Sequence, residues 1–190
     1  SPDLEITLDL AESVDISSDG LVYTFALRTD AFFHSGRRVT AQDVAYSINR
    51  STSLQLQSTV ALAYLGDIVG LNEHIAGLAE DVAGMEVIDE RTIRFTLDAP
   101  KPFFLAKLTY PTAFIVDQQQ IESNPRNWTR KPNGTGPYRL QEWRLGERII
   151  LESNPRYYLG EPPLATFLFT LSVWGALTLF YNDFLDLSFI

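Results

Sequence analysis

The residues of this 190-residue chain with the best claim to chemistry are a glycine pair, two histidines, a serine beside one of them and some adjoining carboxylates. Gly134-Thr135-Gly136 could open a phosphate-cradling loop. Such loops need Lys and Ser/Thr directly after the glycines, or a third glycine opening a helix. Here Pro137 and an alternating stretch follow, and proline lacks the backbone N–H that would face an anion. The spacing gives a turn that launches a strand. His34 and His74 lie far apart without H-E-x-x-H spacing, so they read as surface or loop histidines rather than metal ligands. Ser35 adjoins His34, yet no G-x-S-x-G elbow surrounds it. Glu80/Asp81 and Asp89/Glu90 sit in turn-like segments, where solvated charge is the default; a hydrolase pair built from distant carboxylates stays open as an alternative. The reading is of no catalytic residue, no metal site and no cofactor.

Composition narrows the classes further. Hydrophobic residues make up 45% and charged residues 21%, the balance of a globular protein. Fifteen basic against 24 acidic residues give a net charge of −9, and no Lys/Arg run is present, which sets the chain against nucleic acid as a partner. The absence of cysteine excludes disulfides, thiolate metal sites and a cysteine nucleophile. Ser1-Pro2-Asp3 opens with neither a basic region nor an apolar core, as expected of a cut inside a longer chain or after a processed leader. Leu164 to Tyr181 carries no charge and approaches the ~20 apolar residues of a membrane span. Thr166, Thr170, Ser172 and Thr178 interrupt it, Asp183 and Asp186 follow, and Gly175 breaks any continuous helix. A buried strand followed by a short helix is the expectation there.

The elements that would position these residues are hairpins and short helices. Ala11–Ser17 and Leu21–Arg28 flank Asp19-Gly20, a type I′ turn signal, with Tyr23, Phe25 and Leu27 on one face and Val22, Thr24 and Ala26 on the other. Thr40 with Asp43 three residues on predicts a capping box, and Val44 and Ile48 continue at helical spacing. A second helical patch covers Thr59–Tyr64, and the Gly66, Gly70 and Gly77 region is turn-rich. Met85–Ile88 and Thr92–Leu97 form a hairpin turning at Asp89-Glu90, ended by Pro100 and Pro102. Phe103–Leu108 and Gln118–Ser123 read as short helices. Asn124–Pro132 is polar and proline-flanked, the best boundary in the chain. A third hairpin runs Tyr138–Arg144, turns at Leu145-Gly146 and returns through Arg148–Ser153. The fold class is mixed α/β (α+β): antiparallel hairpins with short helices.

Taken in order, several of these pieces resemble one family. "LAESVDISSDGLVYTFALRTDAFFHSGRRVTAQDVAYSINRS" (Leu10 to Ser51) resembles the early region of bacterial extracellular solute-binding proteins of the oligopeptide/dipeptide and nickel importer type. "GMEVIDERTIRFTLDAPKPFFLAKLTYP" is similar to the family's middle hairpin and short helix. "GTGPYRLQEW" and "RIILESNPRYYLGEPPL" resemble its GTGPY hairpin and N-x-x-Y-Y segment. The likeness is continuous from about Leu10 to Pro163, while Ser35 replaces the usual acidic residue after the FH pair and Asn182-Asp183-Phe184 the usual glycine-acid step.

The resemblance implies part of a periplasmic-binding-protein-like type II fold, present as a fragment. Residues 1–130 would be the family's additional domain and 131–190 an incomplete ligand-binding lobe. It implies a non-enzymatic capture component of an ABC importer, working outside the cytoplasm as a periplasmic or cell-surface lipoprotein. Its partners would be an oligopeptide, dipeptide or similar small solute and a membrane permease. In the family the ligand lies between two lobes, and only the segments Thr59–Leu62 and Tyr110–Phe114 would border that cleft here. Val60, Tyr110, Thr112 and Ala113 are the expected lining residues. The alternatives are the same module as the sensor domain of a regulator, and a carboxylate-pair hydrolase. The large apolar residues after Leu164, from Phe167 to Leu187, further imply self-association.

Overall fold

The computed structural model describes residues 6–171 and 177–180. They fall into two compact units, one formed by residues up to Ala31 together with Arg38–Gln118, the other by Phe32–Arg37 together with residues from Gln119 onward.

The first unit is built on a four-stranded antiparallel sheet, β1 (Ala11–Ile16), β2 (Val22–Leu27), β3 (Met85–Val87) and β4 (Thr92–Thr96), in the order β1-β2-β4-β3. Alternation decides its faces. Tyr23, Phe25 and Leu27 are buried on β2, and Tyr23 pairs with Phe95 and Phe25 with Ile93 across the β2–β4 ladder, so one apolar face is continuous. Helix α1 (Ala41–Ser51) lies against β3 and β4 with Ala41, Val44, Ala45 and Ile48 buried. The predicted capping box forms: Thr40 Oγ1 accepts from the Asp43 N–H, and the Asp43 carboxylate accepts from the Thr40 N–H at 2.9 Å. Helix α4 (Phe104–Lys107) contributes the fully buried Phe104, whose ring meets Tyr23 at 4.9 Å between centroids.

One sequence expectation for this unit needs correction. The β1–β2 turn is not type I′, because Gly20 (φ +70°) is left-handed and Asp19 is not. Residues 17–21 make a longer connection, in which Asp19 Oδ1 accepts from Ser17 Oγ and from the Leu21 N–H. The glycine-punctuated region is turn-rich as expected, and it also holds a helix that the sequence pattern did not show. Between α2 (Ala61–Leu65) and β3 lies a further short helix, α3 (Leu71–Ile75). Gly70 precedes it at φ +79°, where a Cβ would come within 2.7 Å of Ala83, and Gly77 at φ +73° follows it. The glycines punctuate a helix whose buried Leu71 and His74 are too few to reveal a period.

Helix α5 (Gln118–Ser123) follows as expected. The second unit is a four-stranded antiparallel meander, β5 (Tyr138–Arg144), β6 (Arg148–Ser153), β7 (Thr166–Leu171) and β8 (Leu177–Phe180), in the order β5-β6-β7-β8. Gly146 (φ +76°) turns the β5–β6 hairpin where the sequence placed it. The C-terminal expectation fails in two respects. Residues 166–170 are half-buried rather than buried, and residues 177–180 form a strand, not part of a helix. The reason is the open ladder of β7: Leu177–Phe180 pair with Leu171–Leu168, satisfying backbone groups that a short helix would leave unmet. Trp174, Phe184 and Leu187, which fall within the apolar stretch expected to self-associate, lie outside the described residues. No helix among the described residues is long and apolar enough to cross a membrane.

Candidate functional site

The expected lining residues belong to two segments that the first unit brings together. Val60 is the residue before α2, and helix α2 lies against a 3₁₀ turn at Pro111–Ala113. That turn carries Thr112 and Ala113, and Tyr110 leads into it. A residue before proline is pushed into extended conformation by the pyrrolidine ring, and Tyr110 is found there at φ −81°, ψ 148°. The turn is closed by the Ala113 N–H donating to Tyr110 O at 2.9 Å. Ser47 Oγ on α1 then accepts from the Val116 N–H at 2.9 Å, tying the far end of the segment to the helix.

Tyr110 is 37% exposed and stacks on Tyr64, with ring centroids 3.7 Å apart and planes 14° from parallel. Tyr64 was not among the expected lining residues. The available signal was its spacing, four residues after Val60, which puts the two on one side of a helical segment. Val60 is equally exposed, at 37%. Thr112 is half-buried, and its Oγ1 is shielded from solvent with no hydrogen-bond partner. Ala113 is half-buried, and Phe114 beyond it is 60% exposed. Behind the surface, Asp67 receives Lys107 Nζ at 2.5 Å and Lys101 Nζ at 3.4 Å, which anchors the α4 segment leading to Tyr110. The result is a flat, part-exposed aromatic pair. Such a surface can stack on planar or apolar groups. It offers no nucleophile with an adjacent base.

The residues singled out for other chemistry are engaged elsewhere. Gly134 O accepts from the His34 N–H at 2.8 Å, and Gly136 O lies 3.0 Å from His34 Nε2 and 3.0 Å from Asn154 Nδ2. The Gly-Thr-Gly loop therefore turns carbonyls, not N–H groups, toward its neighbours, the opposite of an anion cradle. His74 is buried, with Nε2 2.9 Å from Asn49 O and Nδ1 3.2 Å from Ala79 O. Asp89 caps its own hairpin turn, accepting from the Arg91 and Thr92 N–H groups, and Asp81 accepts from Asn49 Nδ2 at 2.6 Å.

Comparison with known proteins bears on which family the chain belongs to. The family described as "Bacterial extracellular solute-binding proteins, family 5 Middle" matches residues 5–172. The periplasmic oligopeptide-binding protein OppA of Escherichia coli is 38% identical over 154 residues, covering 78% of this chain and 28% of the relative. Di/tripeptide-binding protein 4 of Pseudomonas aeruginosa is 29% identical, covering 89% of this chain and 33% of the relative. Among solved structures, a periplasmic oligopeptide-binding protein from Borrelia burgdorferi superposes with a TM-score of 0.78 at 33% identity, covering 86% of this chain and 33% of that one. The chain thus spans about a third of the length of these relatives. With one family spanning most of the chain and the same mixed fold in its solved relatives, the chain belongs to the bacterial extracellular solute-binding proteins of family 5.

Proposed function

We propose that this chain is part of the substrate-binding component of an importer for peptides or similar small solutes, acting outside the cytoplasm and delivering its ligand to an ABC permease without chemical conversion. The observation that carries this reading is the family match over residues 5–172, together with relatives whose names specify oligopeptides and di/tripeptides. Within it, residues 1–130 serve as the additional domain and residues 131–190 begin a ligand-binding lobe. Val60, Tyr110, Thr112 and Ala113 face the ligand cleft, with Tyr64 backing Tyr110. A stacked tyrosine pair suits a receptor of broad specificity, since aromatic faces accept varied side chains without demanding one pattern of hydrogen bonds.

The test is a chimera in which the matching segment of the E. coli oligopeptide-binding protein is replaced by residues 5–172, titrated calorimetrically with mixed di- to pentapeptides. Saturable binding is expected, and Tyr110→Ala within the chimera should weaken it by about tenfold, the scale of one lost aromatic contact. The isolated 190-residue chain serves as control and should give no saturable heat, because a ligand bound on one side only stays largely hydrated. A folded chimera that binds no peptide would refute the transport reading.

A further inference from the structure

Residues 32–37 belong to the second unit although the chain on either side of them belongs to the first. The excursion is a tight turn closed by the Phe33 N–H donating to Arg37 O at 2.8 Å, with Phe33 buried and the Arg37 guanidinium 4.7 Å from its ring. Two backbone N–H donors and the His34 ring hold it on the 133–137 loop, and Asn133 Nδ2 donates back to Ser35 Oγ at 3.1 Å. The His34 N–H donates to Gly134 O at 2.8 Å, the Ser35 N–H to Asn133 Oδ1 at 2.8 Å, and His34 Nε2 lies 3.0 Å from Gly136 O. A carbonyl oxygen can only accept, so Nε2 carries the hydrogen. The other ring nitrogen, Nδ1, is shielded from solvent and has no hydrogen-bond partner. The imidazole is therefore held in one tautomer, with its basic nitrogen facing nothing that could accept a proton's hydrogen bond.

We propose that His34 is an acid-release clamp: its neutral ring fastens residues 32–37 to the 133–137 loop, and protonation at Nδ1 loosens that attachment. A proton on Nδ1 would bring a charge to a solvent-shielded atom of a half-buried ring with no acceptor, and an unpaired charge shielded from water is costly. The charged groups around the junction add to that cost. Arg139 on β5 lies near enough to repel a second cation, and Glu152 on β6 is already 2.9 Å from the Arg139 Nε. Arg156, after β6, brings Nη1 to 3.2 Å from where a Cβ on Gly36 would stand, and Arg37 sits on the excursion itself. The 133–137 loop contributes no ionisable side chain. Burial accordingly pushes the His34 ring below the ordinary histidine range, Gly136 O pulls it partly back, and Arg139 lowers it further. A histidine with a lowered folded-state value stabilises at pH above about 6.5, and that contribution drains away as the pH falls below it toward the folded-state value.

Amide hydrogen exchange on the 190-residue chain, read residue by residue and normalised to the β2 amides of the first unit, tests the clamp. Between about pH 7.5 and pH 5.0, protection at His34 and Ser35 should fall by roughly tenfold or more while β2 keeps its own. His34→Gln keeps an N–H donor within reach of Gly136 O but cannot titrate, so its protection should change by less than about twofold over the same range. Nitrogen-15 shifts of the wild-type ring, which need no variant, should show the Nε2–H tautomer giving way to imidazolium as protection falls. Protection at His34 and Ser35 that is unchanged across the range, or a ring that titrates without any loss of it, would overturn the proposal.

Discussion

At the residue scale, burial and partners rank the side chains. Phe104 has no exposed surface and stands against Tyr23 at 4.9 Å and Phe95 at 6.3 Å, so it joins the α4 segment to the β2–β4 face. Truncation to alanine there removes the ring and leaves a void that neighbours fixed in the β2–β4 ladder cannot readily fill. Phe104→Ala should destabilise the chain by about 3–5 kcal/mol, read as a fall in the urea midpoint with unchanged slope. A loss under about 1 kcal/mol would mean that the site collapses freely, against the close packing found here. Tyr110 differs in kind. Its ring is stacked on Tyr64 and the residue stays 37% exposed, so if it lines the proposed cleft its loss should register in ligand affinity first.

At the element scale, local hydrogen bonds set where strands and helices begin. Thr40 and Asp43 start α1 by reciprocal bonds, and both residues can be read directly from the sequence. Asp89 works similarly for the β3–β4 hairpin. Its carboxyl is held below the usual carboxylate range, first by the Arg91 N–H and then by Thr92, although it is fully exposed. A carboxylate whose value is depressed by folding stabilises at pH above about 3.9 and loses that contribution as the pH falls through its folded-state value. Wild-type chain should therefore melt above Asp89→Ala at neutral pH, and the two melting curves should converge on acidification below that range. Thermal melts recorded from pH 7 to pH 2.5 check this. A gap that stays constant over the whole range would show that the charge of Asp89 plays no part in the turn.

At the scale of the whole molecule, the second unit is the less covered of the two. Every residue of β6 is half-buried, Ile149, Ile150 and Leu151 included, and residues 166–170 of β7 are the same. Tyr138, Phe167 and Phe169 form an aromatic row across this sheet, with centroids 4.6 and 6.2 Å apart. Each large side chain left in water forgoes roughly 1.5–3 kcal/mol of burial. The 190-residue chain alone should accordingly self-associate through the β5–β8 sheet and the apolar residues after Leu164. Light scattering over a concentration series would show the mean mass rising above 21.4 kDa. A constant mass of a single chain at the highest concentration would sink the expectation.

What the sequence by itself determined was short-range. Alternation set the faces of β2 and β4, Thr40 and Asp43 set the start of α1, and Pro137 after the glycines excluded a phosphate loop, because each rests on bonds or sterics within a few residues. The succession of motifs also carried the family. The stack of Tyr64 on Tyr110 was decided only by the fold, since forty-odd residues separate partners whose meeting depends on α2 lying against the Pro111–Ala113 turn. So were the hydrogen bonds of His34, whose partners stand a hundred positions on, and the strand at Leu177–Phe180, which the open ladder of β7 selects over a helix. Local pattern states what a segment can form; only its neighbours in space supply the hydrogen bonds and the cover that choose among those forms.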